Sequence, residues 1–163
     1  MSTLTKYRLV LSAFMLGLIL SGITAFPLAW ELRLLTAWFG INPSLPPEHY
    51  NGLAFWLATV SRGLHETYPA YPWVAYGTDW LAFGHFVIAI AFVGALLNPV
   101  RNRWIFTFGL IACALVVPYA LAFGAIRGIP FWWRLIDCSF GVFGMIPLWL
   151  CRKWVDELPA PRP

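Results

Sequence analysis

Charge is what this sequence has least of. Charged residues make up 11% of the 163-residue chain, against the roughly 25% usual for a soluble domain. With hydrophobic residues at 60%, a water-soluble fold of this size has nowhere to hide its apolar surface, and the bilayer is the expected solvent. The apolar runs show no period-two alternation, which excludes a membrane barrel and leaves helices, because lipid cannot satisfy open backbone groups. The net charge of +4 is spread over segment ends without a basic stripe interleaved with aromatics, so nucleic acid is excluded as a partner. Cysteine is scarce: Cys113, Cys138 and Cys151 form no CxxC, which argues against a thiol oxidoreductase and a zinc ribbon. No internal repeat marks a second domain, and no symmetric pair of broken helices suggests a transporter.

What is present is a set of long apolar runs. Leu9 to Leu28 is about 20 residues, long enough to span, and has no convincing small-x-small cleavage site before Pro27. It is read as the first transmembrane helix, kinked at Pro27. Further spans are expected at Asp79 to Leu97, Trp104 to Ile126, and Pro130 to Leu150, with Arg152 and Lys153 stopping the last. Between the first two spans lies a more polar stretch, residues 31–78. The breaker cluster Gly40 to Pro47 precedes Asn51 to Glu66, whose Leu53, Trp56, Leu57, Val60 and Leu64 recur at helical spacing. This stretch predicts an amphipathic helical cap on one membrane face, followed by a Tyr-, Pro- and Trp-rich connector at headgroup level. The whole reads as one membrane domain over 1–163: four transmembrane helices and an outer cap.

Basic residues set the orientation. Lys6, Arg8, Arg101, Arg103, Arg152, Lys153 and Arg162 share one side; Arg33, Arg62, Arg127 and Arg134 share the other. The first side is expected to be cytoplasmic, with both termini there, as in a bacterial inner-membrane protein. The opposite half then collects His49, His65 and His85, together with Glu31, Glu48, Glu66, Asp79 and Asp137. Helical rise puts His85 roughly 9 Å, Asp137 roughly 10 Å and Tyr119 roughly 12 Å inward from their helix ends. The three cysteines fall at different depths and are expected to remain free thiols.

Ionisable groups inside a membrane are costly and point to function. His85, Asp79, Arg134, Asp137 and Tyr119 are the candidate ligand-binding residues, with Arg134 and Asp137 at a spacing that allows them to pair. Three readings remain open. The first is an outward-facing pocket, polar and aromatic, for a small, partly apolar ligand such as a quinone, a lipid or haem; haem would need an axial histidine, and His85 is the embedded candidate. The second is a structural or assembly subunit with a membrane-protein partner. The third is a redox or metal-dependent enzyme, with His65, Glu66, Asp79 and His85 as candidate metal ligands. No motif fixes a catalytic residue or a cofactor.

Overall fold

The structure, a computed structural model, describes residues 1–159; Arg162, counted above with the basic residues of one side, lies outside the described residues. Among the described residues the chain is helical and contains no strand. The helices are α1 (Thr3–Ala25), α2 (Leu28–Trp38), α3 (Gly52–Ala70), α4 (Tyr76–Leu97), α5 (Trp104–Ile126) and α6 (Phe131–Asp156), with single 3-10 turns at Pro47–His49 and Pro72–Val74. Among the described residues, four helices are long and apolar enough to cross a membrane, namely α1, α4, α5 and α6, which makes this an integral membrane protein.

The helix α5 has the bounds its sequence predicts; the other ends differ for physical reasons. Pro27 ends α1 rather than kinking it, and α2 starts immediately after, with Trp30 and Glu31 donating backbone N–H groups to the Pro27 carbonyl. The start of α1 is earlier than expected because Ser2 caps it, its hydroxyl accepting from the Thr5 N–H at 3.2 Å. The connector after Glu66 is largely helical: α3 continues through Pro69 to Ala70, and α4 begins at Tyr76, ahead of Asp79. Arg152 and Lys153 do not stop α6, which runs on to Asp156. Their charges are accommodated sideways: Arg152 Nη1 donates to Thr107 Oγ1 on α5, and the Lys153 ammonium lies 5.9 Å from the centre of the Trp149 ring.

The chain divides into two compact units, Met1–Gly17 with the chain from Ile88 onward, and Leu18–Val87; each is described by itself. In the first, Tyr7 is fully buried. It meets Phe106 edge-on at 5.9 Å, Phe106 lies 6.1 Å from Phe92, and Phe92 meets Phe14 edge-on at 5.2 Å. The Tyr7 hydroxyl donates to the Ala95 carbonyl at 2.6 Å. Helices α5 and α6 form a close antiparallel hairpin. Gly141 makes the approach possible, since a Cβ there would lie 2.5 Å from the Cys113 carbonyl oxygen on α5. Arg134 Nη1 donates to the Leu121 carbonyl at 3.2 Å. At the other end, Arg103 and Asp156 form an ion pair at 2.8 Å. The cysteines are free thiols, with Cys138 and Cys151 buried.

The second unit has its own apolar cluster of Leu32, Ile41, Leu57 and Ala58, with Leu28, Leu35, Ala54, Val60 and Leu64 partly buried against it. Part of the stripe expected on residues 51–66 is therefore covered by α2, a neighbour that residue spacing alone did not supply. The chain leaves α2 through Gly40, whose φ of +64° lets the Ile41 N–H reach the Thr36 carbonyl and the Gly40 N–H reach the Ala37 carbonyl. Those two bonds close the helix end as a Schellman motif and turn Ile41 inward.

Candidate ligand-binding site

The second unit contains a cavity of about 450 Å³ between α2, the segment that follows it, and α3. Helical periodicity builds two of its walls. From α2 come Ala29, Leu32, Arg33 and Thr36, spaced i, i+3, i+4 and i+7 on one face. From α3 come Ala58, Ser61, Arg62 and His65, at the same spacing. Residues between Ile41 and Pro47 line it as well. That segment is folded on itself: Tyr50 Oη accepts from the Asn42 N–H at 2.8 Å, and Asn42 Oδ1 accepts from the Ser44 N–H at 2.9 Å. The floor is aliphatic, with Leu32, Ile41 and Ala58 buried.

Beside the neutral Thr36, Asn42 and Ser61, every titratable side chain that lines this cavity is basic. Arg33, Arg62 and His65 line it, and no carboxylate and no Phe, Tyr or Trp is among the described lining residues. Arg62 Nε lies 3.8 Å from Glu66 Oε1, with the two side chains 42% and 70% exposed, a solvated pair of little strength. Arg33 makes no ion pair and no side-chain hydrogen bond among the described residues. The site thus presents cationic donors above an apolar floor.

None of the five residues expected to bind a ligand lines this cavity. Asp79 is half-buried in the first turn of α4, where a negative charge complements the helix dipole. His85, also half-buried on α4, has Nδ1 2.7 Å from the Leu81 carbonyl oxygen. A carbonyl can only accept, so Nδ1 is the donor of this bond. Arg134, Asp137 and Tyr119 belong to the first unit. Tyr119 is 65% exposed, its ring 4.5 Å from that of Phe123. Arg134 and Asp137 do not form the pair their spacing suggested: Arg134 is taken by the Leu121 carbonyl and the Phe131 ring at 5.3 Å, and Asp137 makes no ion pair among the described residues. The Arg134 stem packs over Gly124 of α5, where a Cβ would lie 2.5 Å from its Cδ, which directs its head to α5. Among the described residues no three His, Cys, Asp or Glu side chains come together to hold a metal, so His65, Glu66, Asp79 and His85 are not gathered into a ligand set. Of the candidates named from sequence, His65 alone lines the cavity.

The two stripes, Ala29-Leu32-Arg33-Thr36 and Ala58-Ser61-Arg62-His65, carry a signal that was open to sequence reading. Each is a mixed small, polar and cationic face at helical spacing, flanking one breaker cluster. Compared with known proteins, the chain matches no family model, no curated protein and no solved structure.

Proposed function

We propose that this is a small polytopic inner-membrane protein of bacterial type that binds a small, partly apolar ligand in the cavity between α2 and α3. The observation that carries the reading is the cavity itself. Its volume of about 450 Å³ falls within the range of small-molecule sites, and its apolar walls with a few convergent polar groups are their usual chemistry. The orientation rests on Lys6, Arg8, Arg101, Arg103, Arg152, Lys153 and Arg162 sharing one side of the spans, against Arg33, Arg62, Arg127 and Arg134 on the other. In that topology α2 and α3, which follow the first span, would lie on the outer face as an amphipathic cap.

The test is native mass spectrometry of the protein extracted from its membrane in mild detergent. A small-molecule adduct is expected on the wild-type chain and is expected to be lost in Ser61→Trp, which fills the cavity from α3. Absence of any adduct, or an adduct that survives Ser61→Trp, overturns the reading.

A further inference from the structure

We infer that the cavity takes a single-chain anionic amphiphile, an alkyl carboxylate or alkyl phosphate, with its head on Arg33, Arg62 and His65 and its chain against Leu32, Ile41 and Ala58. This inference rests on the ligand-binding reading above and names the class of ligand.

Charge complementarity selects the head. Arg33 from α2 and Arg62 and His65 from α3 line the one cavity, and no carboxylate is among the lining residues described. Guanidinium groups bind carboxylate and phosphate oxygens through paired N–H donors. A cationic head would meet like charge here and would find none of the aromatic faces on which quaternary ammonium groups are held. Among the described residues Glu66 is the one acid paired with this set, through Arg62, at 3.8 Å and largely in solvent, so an arriving anion displaces a weak partner. Arg33 brings no competing partner among the described residues.

The walls select the tail. In a chain that is 18% aromatic, the described lining holds no Phe, Tyr or Trp. A flat conjugated ligand such as a quinone ring or a porphyrin is usually held between aromatic faces, whereas Leu, Ile, Ala and Pro side chains suit a flexible methylene chain. The basic groups and the aliphatic floor share one cavity, which matches a molecule with an anionic end and a saturated chain.

The experiment is a native mass spectrometry titration of the full chain in detergent with four probes that share one tail: dodecanoate, dodecyl phosphate, dodecanol and dodecyltrimethylammonium. At least one of the two anions is expected to bind about tenfold or more tightly than dodecanol, and Arg33→Gln and Arg62→Gln are each expected to remove about tenfold of that binding while leaving dodecanol unchanged. Tighter binding of dodecanoate assigns a free fatty acid, and tighter binding of dodecyl phosphate a phosphate-bearing lipid; either result supports the inference. Removing methylenes from the preferred anion should weaken it by about fourfold each. Equal binding of all four probes, with Arg33→Gln silent, overturns the anionic class; if Ser61→Trp still abolishes that binding, the ligand-binding reading survives. Binding of no probe, or binding that Ser61→Trp leaves unchanged, overturns both.

Discussion

Tyr7 and Pro99 explain each other. In a helix the Ala95 carbonyl would accept from the N–H four residues on, but that residue is Pro99, which has none. The Tyr7 hydroxyl supplies the missing donor at 2.6 Å, from a side chain fully buried in the first unit. Tyr7→Phe keeps the ring contacts with Phe106 and removes the donor, so a loss of about 1–2 kcal/mol is expected, measured by thermal unfolding in detergent. An unchanged transition would mean that this carbonyl has another donor. Glycines give a second, two-sided prediction. Gly141→Ala places a methyl 2.5 Å from the Cys113 carbonyl oxygen and 3.2 Å from Val116 Cβ, both on α5, and is expected to cost about 1–3 kcal/mol through forced separation of the hairpin. Gly17→Ala meets nothing within 4 Å on α1 and is expected to stabilise by about 0.5–1 kcal/mol through reduced backbone freedom in the unfolded chain. The same assay separates them by the sign of the shift, and equal signs would refute the packing argument.

At the level of elements, α6 is fastened to α5 by two arginines. Arg134 reaches the Leu121 carbonyl and Arg152 reaches Thr107 Oγ1. They are eighteen residues apart in sequence, or five helical turns, and so lie on one face of α6, roughly 27 Å apart along its axis. That span is close to the hydrocarbon thickness of about 30 Å, so each arginine sits where its head can reach the interface along its own stem. A double-mutant cycle between Thr107→Val and Arg152→Leu should show a coupling above about 0.5 kcal/mol. Asp156→Asn, which breaks a half-exposed ion pair with Arg103, should cost less than about 1 kcal/mol. A larger effect at Asp156 than at Arg152 would reverse the ranking. These contacts also show where sequence reading stopped. The bounds of α5 were legible because apolar residues fill it and breakers flank it. The end of α6 was not, because a charge looks like a terminus until a neighbour such as Thr107 is known. The Arg134–Asp137 pair failed for the same reason: spacing along one helix carries no information about the Leu121 carbonyl on the next.

Across the whole chain, the four spans were legible from length and hydropathy, and the presence of helix in the segment between the first two was legible from its spacing. The cavity was not, since it arises from two stripes facing each other across a turn, and spacing along either helix does not show the other. Pro27 is a break and not a bend, and that one difference frees α2 to fold against α3. The topology proposed from the basic residues can be tested at the cavity itself. In the proposed topology α1 crosses the membrane once, so the segment between the first and second spans would face the opposite side from Lys6 and Arg8. Ser61, half-buried in the cavity wall on α3, is a suitable reporter as Ser61→Cys. The native Cys138 and Cys151 are buried and Cys113 lies within α5, so a charged, membrane-impermeant maleimide added to intact cells should label the variant and leave the parent chain unlabelled. Dodecanoate should slow that labelling if it occupies the cavity. Labelling that requires permeabilised membranes would invert the orientation and place the cavity on the cytoplasmic face. Rapid labelling indifferent to dodecanoate and to dodecyl phosphate would leave the orientation standing and remove the anionic ligand from the site.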